Sequence, residues 1–434
     1  MREPAHGTTF DGAPSAIVVH VAGDYPDDGA TLSIQVLGNP DDLQSWTTIG
    51  TAEVAAQAFG ADVRPVASEA DAARWPAGGV LRLRVIDESG AALPFDLEEP
   101  TQNVLAVVNP GAPPASWHYL EERLVGSEAE TDAYYATIQA PATLDDFIAK
   151  FDMATGLTTV RYYNLGDLGI GREMHCKATV TPAGGLACYV RNFGTFGGSL
   201  QQALAALDAA GTPLATVAMV YTPPIEAPNA VAFMVYGPDN ALVRSAQLDV
   251  AGNNASIPQN CLNCHGGKSR YDAATHTATN ARFLPFDPSA FLYSPAAGFE
   301  MQQAAFRDIN HLVTAAAPTP AVTELVDGMF PANDAPYDAE FVPAAWTTKP
   351  SDARVYRQAI APYCRSCHAT GTGAFAFATP ADLASSRAGT LSRICGPGPH
   401  GMPAAQQTAQ RFYASSARAV LLTWLTAPGA CATP

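Results

Sequence analysis

The alternation of apolar and polar positions in the first hundred residues predicts β-strands. Apolar residues recur at every second position through residues 30–37 and 79–86, and a further apolar run covers residues 16–21. A period of two is typical of strands that bury one face, and Gly, Pro, Asp and Asn separate these runs. The pattern therefore predicts a small antiparallel β-sandwich over residues 1–110, closed by the loop rich in Pro and Gly at 109–114.

The next part of the chain mixes the two periodicities. A helix is predicted over residues 143–151, with Thr143 as its N-cap and acidic residues in its first turn. Strand-like apolar runs follow at 186–190, 216–221 and 230–236. We therefore expect an α+β domain over residues 111–349.

The last part of the chain has helical patterning only. One helix is predicted over residues 352–360 and another over 415–425, and a loop of Gly, Pro and Ala with little periodicity is expected between them. This pattern predicts an all-α domain over residues 350–434.

Composition narrows the possible class of protein. Hydrophobic residues make up 47% of the 434 residues and charged residues 15%, which favours a globular chain over a disordered one. The net charge of −17 comes from 41 acidic against 24 basic residues, so nucleic acid is not expected as a partner. Such a surface favours a basic protein or a small cation as a partner, or belongs simply to a soluble acidic protein.

The chain carries no sign of a membrane span. No apolar run approaches the roughly 18 residues that a transmembrane helix needs, so no transmembrane segment is expected. The first residues lack the apolar stretch of a signal peptide, and we expect that an export signal has been removed.

Two short motifs carry the strongest chemical signal. Each consists of two cysteines separated by two residues, with a histidine directly after the second cysteine. In such motifs the thiols add to the vinyl groups of a haem and the histidine binds its iron. The sequence thus predicts two covalently bound haem c groups, one in each of the last two domains, held by Cys261, Cys264, His265, Cys364, Cys367 and His368.

Two other uses of these cysteines are weaker. A zinc site would have to join pairs that begin at Cys261 and Cys364, whereas compact zinc modules place their pairs about 15–20 residues apart. A redox dithiol of the thioredoxin type needs a βαβ context and leaves the histidines unexplained.

The four remaining cysteines suit disulfides, because haem c is attached outside the cytoplasm. Cys176 and Cys188 flank a turn signal at 181–185 and are predicted to staple a hairpin. Cys395 and Cys431 would tie a loop to the chain end. The alternative is that these residues are buried thiols.

The segments on both sides of the C-terminal motif follow the order seen in a known protein family. A helix entering Cys364, a Gly-Met-Pro loop at Met402 and a closing amphipathic helix with Trp424 resemble class I cytochrome c over about 80 residues. The resemblance implies that Met402 supplies the second axial ligand and that the first and last helices pack together. Because Met402 lies among Gly and Pro, its position must be fixed by something that it binds. His400 is the competing ligand, and an ordinary gap-filling Met is the alternative.

Wider resemblances are less specific. Residues 166–176, 261–267 and 281–287 make the stretch from about 133 to 424 similar to a group of bacterial dihaem cytochrome c proteins. Two such motifs also resemble, more distantly, the arrangement in dihaem peroxidases and rubber oxygenases. The predicted N-terminal sandwich is similar to immunoglobulin and fibronectin modules.

The sixth ligand of the iron bound to His265 decides between carrier and enzyme. His175 is favoured, because a disulfide at its neighbour Cys176 would hold the segment rigidly. His175 is equally well explained as an ordinary surface or core residue. Met174 is the next candidate, and the remaining ones are His276, Met301, His311 and Met329.

Two functions follow from the two coordination states. With both irons six-coordinate, the chain is expected to transfer electrons between redox proteins, from the first haem to the higher-potential His368–Met402 haem. With an open first haem, it would be a dihaem peroxidase or oxygenase in which Arg172, Glu173 and His175 supply polar groups over the iron.

A third hypothesis assigns docking to a surface or a partner to residues 1–110. In each case the expected location is the periplasm or the outside of the cell, because that is where haem c is attached.

Overall fold

The structure is a computed structural model of the full chain. It describes residues 8–10, 16–39, 42–65, 80–93, 104–108, 126–164, 168–195, 200–247, 254–266, 270–332, 335–371, 373–395, 408, 412 and 417–425. The described chain divides into two compact units. One comprises Met1–Ala115, Trp346–Tyr363 and Ala409–Pro434, and the other comprises Ser116–Ala345 and Cys364–Thr408. We refer to them as unit 1 and unit 2.

The described strands, in chain order, are β1 Thr8–Phe10, β2 Val19–Asp24, β3 Thr31–Asn39, β4 Asp42–Glu53, β5 Ala58–Val63, β6 Val80–Ile86, β7 Val104–Val108, β8 Thr158–Asn164, β9 Gly171–Thr179, β10 Gly185–Phe193, β11 Ala215–Tyr221, β12 Val231–Tyr236, β13 Ser245–Gln247, β14 Asn254–Ser256, β15 Arg270–Asp272, β16 Thr277–Thr279 and β17 Phe291–Leu292.

The described α-helices, in chain order, are α1 Glu128–Thr137, α2 Leu144–Lys150, α3 Leu200–Asp208, α4 Gln259–His265, α5 Phe299–Thr314, α6 Pro320–Met329, α7 Pro350–Val355, α8 Ala361–Tyr363, α9 Arg365–His368, α10 Pro380–Ser385, α11 Arg387–Cys395 and α12 Ala417–Trp424. A π-helical turn, Tyr356–Ile360, connects α7 to α8.

Two β-sheets form the N-terminal part of unit 1. One has the order β1-β7-β6-β3-β4, and the other pairs β2 with β5. Side chains from both sheets share one core, which includes Val21 of β2, Phe59 of β5, Ile34 of β3 and Val85 of β6. The three strands predicted from the alternation correspond to β2, β3 and β6.

The helices of unit 1 come from the C-terminal part of the chain. Trp424 in α12 donates a hydrogen bond from Nε1 to Asp352 Oδ1 in α7 at 2.8 Å. The ring of Trp424 also lies 5.9 Å from that of Trp346. The helix before Cys364 and the closing helix therefore pack together, as the resemblance to class I cytochrome c implies.

A six-stranded sheet is the centre of unit 2, with the order β12-β11-β10-β9-β8-β17. Its neighbouring strands are antiparallel throughout. The three strands predicted for this part of the chain correspond to β10, β11 and β12. The predicted helix is α2, in which Thr143 and Asp146 form a reciprocal capping box that satisfies amide groups at the helix start.

One prediction for the C-terminal region was wrong in part. The stretch after the second motif was expected to be a loop of little periodicity, yet it contains α10 and α11. Thr379 caps α10 through a capping box with Asp382, and Pro380 occupies the first helical turn. These local signals start a helix without a long apolar stripe.

The coarse prediction holds: β-sheets form the N-terminal region and helices form the C-terminal region, with sheet and helix mixed between them. The predicted third domain, residues 350–434, is divided between the two units, because the chain passes from unit 1 to unit 2 at Cys364. Within the described ranges, no helix combines the length and the apolar character that a membrane crossing requires.

Candidate functional site

The first Cys-x-x-Cys-His motif occupies helix α4. Cys261 and Cys264 are three residues apart on this helix, so their side chains lie on one side of it, and His265 is its last residue. The Nδ1 atom of His265 lies 3.1 Å from the carbonyl oxygen of Arg282. The imidazole ring lies 5.5 Å from the ring of Phe233.

The second motif repeats this arrangement in other surroundings. It begins at Cys364 and continues through the short helix α9, which ends at His368. The Nδ1 atom of His368 lies 2.8 Å from the carbonyl oxygen of Phe375. Its ring stacks on Phe377, with ring centroids 4.1 Å apart.

Both histidines are suited to bind a metal through Nε2. A carbonyl oxygen can only accept, so Nδ1 must carry the proton and donate it, which leaves the Nε2 lone pair available. Burial lowers the pKa of His265 to about 4, and burial lowers the pKa of His368 to about 4 as well. Both imidazoles are therefore neutral at pH 7, the form that binds iron.

The cysteines of the two motifs carry no disulfides. Burial raises the pKa of Cys364 to about 12, and burial also raises the pKa of Cys261 above its ordinary value. A redox dithiol needs the opposite shift, because its thiolate is the reactive form. The raised pKa values of Cys261 and Cys364 therefore disfavour a redox-active dithiol.

A cavity of about 460 Å³ lies against one face of the six-stranded sheet. This size falls within the range of about 300–1,000 Å³ found for ligand and cofactor sites. The two motifs both reach it, because Cys261, Cys264 and His265 contribute to its lining together with Ser366 and Cys367. The sheet contributes mainly apolar side chains, among them Met174, Cys188, Val190, Met219, Phe233 and Val235.

The two motifs also lie close together within unit 2, and Thr370, two residues after the second motif, connects them. The hydroxyl of Thr370 lies 2.9 Å from the carbonyl oxygen of Cys367 and 3.4 Å from that of Cys264. Residues from both attachment motifs are thus side by side, although about a hundred positions separate them along the chain.

The predicted disulfide between Cys176 and Cys188 is present. The two residues face each other across the β9–β10 hairpin, whose turn contains the predicted turn signal. Both are buried, and Cys188 lines the cavity. The pairing of Cys395 and Cys431 stays a prediction, because Cys431 and the side chain of Cys395 lie outside the described residues.

His175, the favoured sixth ligand, does not line the cavity. Strand residues alternate between faces, so Met174 and Cys176 share one face while His175 points to the other. On that face the Nε2 atom of His175 lies 2.9 Å from Glu173 Oε1, and Nδ1 lies 2.9 Å from Thr159 Oγ1. Both ring nitrogens therefore have partners away from the cavity.

The next candidate, Met174, does line the cavity. It is paired with Val190, which is paired with Val217, and both valines also line it. Arg172, two residues earlier, is the one ionic side chain among the described lining residues, and its positive charge helps to lower the pKa of His265, after burial.

Glu173 is the centre of a polar cluster on the opposite face of the sheet. It is 6% exposed, accepts a hydrogen bond from Arg161 Nε at 2.7 Å and lies 3.6 Å from Arg191 Nη1. The hydrogen bond with His175 and then the one from Arg161 lower the pKa of Glu173 to about 2, although burial opposes the shift. The carboxyl is therefore ionised throughout the physiological range.

The other candidate ligands lie elsewhere. Met301 is 67% exposed and His311 is also exposed, both on helix α5. His276 contacts the hydroxyl of Tyr271 at 3.3 Å, and Met329 is fully buried beside Arg365. Met402 and His400 lie outside the described residues, so the second ligand of the C-terminal iron stays a prediction.

Met219 is a further thioether at the cavity that was not among the ligands predicted from the sequence. It lies on β11, opposite Phe233 on β12, and lines the cavity beside Met174. A strand was predicted there, so the alternation could have placed Met219 on a defined face. Which of the two faces borders the cavity depends on the segments that pack against the sheet, so the alternation alone does not predict it.

Across the described ranges, no group of three or more His, Cys, Asp and Glu side chains is arranged to hold a metal ion. No protein-family model, curated protein sequence or solved structure matches the chain. The site geometry is therefore the basis for a functional conclusion.

Proposed function

We propose that this chain is an exported dihaem cytochrome c that transfers electrons between redox proteins. One observation carries the proposal: two Cys-x-x-Cys-His motifs lie side by side in unit 2, and each histidine has Nδ1 at hydrogen-bonding distance from a backbone carbonyl oxygen. That contact is typical of an imidazole that binds a metal through its other nitrogen.

The residues present fit a covalently attached haem. Among the described residues, Cys176 and Cys188 are joined in a disulfide, whereas the cysteines of the two motifs are thiols, the form from which thioethers are made. The cavity beside the first motif is lined mainly by apolar side chains, which suit the apolar faces of a haem. When bound, haem supplies one-electron oxidation and reduction of its iron.

Each part of the first site has a proposed role. Cys261 and Cys264 would attach the haem, and His265 would bind its iron while the Arg282 carbonyl fixes the imidazole orientation. Met174 is the proposed sixth ligand, because it reaches the cavity that His175 does not reach. Met219 is the competing thioether on the same sheet face.

The second site has equivalent parts. Cys364 and Cys367 would attach the haem, and His368 would bind its iron, with the Phe375 carbonyl in the orienting role. Met402 is kept as its proposed second ligand. With a thioether proposed at both sites, the type of axial ligand no longer predicts which haem has the higher reduction potential. Electron transfer from the first haem to the second, expected from ligation by His175, is therefore not part of this proposal.

The finer architecture belongs to the same proposal. The two sheets of unit 1 share a core, which supports an immunoglobulin- or fibronectin-like sandwich. The packing of α12 on α7 supports a class I cytochrome c-like arrangement. Periplasmic or cell-surface location and a basic redox partner follow from haem attachment and the net charge of −17.

The proposal is tested by counting haems. The chain is expressed with an export signal in a host that attaches haem c, and covalent haem is measured by pyridine haemochrome. We expect two haems per wild-type chain. We expect one haem in Cys261→Ala/Cys264→Ala and one in Cys364→Ala/Cys367→Ala.

The matched control is Cys176→Ala/Cys188→Ala, which removes two cysteines outside the motifs and should keep both haems. A purified wild-type chain that carries zinc, or no cofactor, with four titratable thiols would contradict the proposal.

A further inference from the structure

The short segment from Arg282 to Ser289 contacts both attachment motifs of unit 2. At its beginning, the backbone of Arg282 makes two contacts with His265. The amide nitrogen of Arg282 donates to the His265 carbonyl oxygen at 2.6 Å, and the Arg282 carbonyl oxygen lies 3.1 Å from His265 Nδ1. This end of the segment therefore orients the first proposed iron ligand.

The other end of the segment holds the second motif. Arg365, the residue after Cys364, donates from Nε to Asp287 Oδ2 at 2.5 Å and from Nη2 to Ser289 Oγ at 3.0 Å. Arg365 is 4% exposed and Asp287 is 2% exposed, so this ion pair is buried. An ionised side chain in such surroundings is costly to leave without its partner, which fixes the geometry of the pair.

Asp287 is held from a second side. Its Oδ1 accepts hydrogen bonds from Ser289 Oγ at 2.7 Å and from the hydroxyl of Tyr337 at 3.2 Å. Burial alone would raise the pKa of Asp287, but the charge of Arg365 and the hydrogen bonds from Arg365 and Ser289 keep the pKa below its ordinary value. The carboxylate is thus ionised, and these contacts fix its orientation.

An ordinary core contact does not explain this pair well. Buried ion pairs contribute little stability compared with apolar residues of similar size. The chain shows that an apolar residue suits this motif position, because its counterpart in the first motif is Leu262, which is buried. The charge of Arg365 therefore suggests a requirement for orientation rather than for stability alone.

We propose that Asp287 and Arg365 are positioning residues that fix the second attachment motif to the segment that orients His265, and so hold the two haems in one mutual orientation. This inference rests on the proposed function. It gives the 282–289 segment a role as a bridge between the two redox sites of unit 2.

The test uses the full-length, haem-loaded protein and circular dichroism in the Soret region. Two haems held close in a fixed orientation give a paired positive and negative band, here called the couplet. Arg365→Met/Asp287→Asn removes both charges and avoids leaving one of them buried alone. We expect it to retain two haems but to lose about half or more of the couplet amplitude.

The matched control is Arg161→Met/Glu173→Gln, which removes another ion pair of unit 2 that does not contact the second motif. Its couplet should equal that of the wild type. Ser289→Ala, which removes only the hydroxyl shared by Asp287 and Arg365, is the milder variant if the double variant does not fold. Ser289→Ala should also reduce the couplet amplitude, by less than the double variant.

The possible failures are distinguishable. Two haems with an unchanged couplet in the Arg365 and Ser289 variants overturn the positioning role and leave the proposed function intact. A wild-type protein that carries two haems but shows no couplet would also overturn the positioning role and leave the proposed function intact. A wild-type chain without haem refutes the proposed function, and the positioning role falls with it.

Discussion

The two faces of the six-stranded sheet carry different chemistry. The cavity face presents Met174, Met219 and the disulfide-bonded Cys188 towards the first attachment motif. The opposite face presents Glu173 and His175, which are partners of each other and of nearby side chains. Since neighbours along a strand point to opposite faces, residues adjacent in sequence belong to separate clusters.

This difference bears on the choice between carrier and enzyme. An open first haem was expected to use Arg172, Glu173 and His175 together as polar groups over the iron. Of the three, Arg172 lines the cavity, whereas Glu173 and His175 interact on the far side of the sheet. A thioether from the cavity face is therefore better supported there than a catalytic polar group.

The largest expected effect comes from exchanging ligands between the faces. Met174→Leu keeps the side-chain volume but removes the sulfur. We expect one of the two proposed haems to change from low spin to high spin in electron paramagnetic resonance spectra of the oxidised protein. His175→Gln, the matched variant on the opposite face, should leave both signals low spin.

Two results would contradict the assignment of Met174. If His175→Gln produces the high-spin signal, the ligand comes from the outer face and the strand must rearrange when haem binds. If Met219→Leu produces it instead, the cavity face is correct but the neighbouring thioether is the ligand. Addition of cyanide should convert the high-spin haem back to low spin in either case.

The disulfide gives the next largest effect. Removing the bond in Cys176→Ala/Cys188→Ala, whose sequence separation is 12, should lower the free energy of unfolding by about 3 kcal/mol. The measurement is urea unfolding followed by the circular dichroism of the sheet. Wild-type protein in a reductant should lose a similar amount, and an unchanged midpoint in both samples would show that the bond does not support the sheet.

Local patterning predicted three of the six strands of this sheet and missed β8, β9 and β17. The apolar runs at β10, β11 and β12 were recognised from sequence, and so was the disulfide across the hairpin turn. β9 contains Arg172, Glu173, His175 and Lys177, and so many polar residues obscure the period of a strand. They are accommodated because Glu173 and His175 pair with each other and Lys177 pairs with Asp152.

The alternation of side chains along β9 also explains why His175, predicted as a ligand, does not reach the cavity. The disulfide between Cys176 and Cys188 is present, as predicted, and it lies on the cavity face of the sheet. The immediate neighbour of Cys176 must then point away, and the residue two positions before it points towards the cavity. The side-by-side placement of the two motifs had no local signal, because it depends on contacts between distant parts of the chain.

The smallest of these effects concerns the outer face alone. Glu173→Gln leaves Arg161 and His175 without their carboxylate, and the pKa of Glu173, lowered from its ordinary value of 4.5 to about 2, indicates the strength of these contacts. Because Arg161 is 35% exposed and partly screened by water, we expect a loss of about 2 kcal/mol in the free energy of unfolding at pH 7.

The contribution of Glu173 should also depend on pH. A carboxyl whose pKa is lowered by folding stabilises the fold at pH values above its ordinary pKa, so the wild type should lose this stability as the pH falls from about 4.5 towards 2. Asp62→Asn, which breaks an exposed contact with His20, should cost less than about 0.5 kcal/mol. Equal unfolding free energies for Glu173→Gln and the wild type at pH 7 would mean that the outer cluster does not stabilise the sheet.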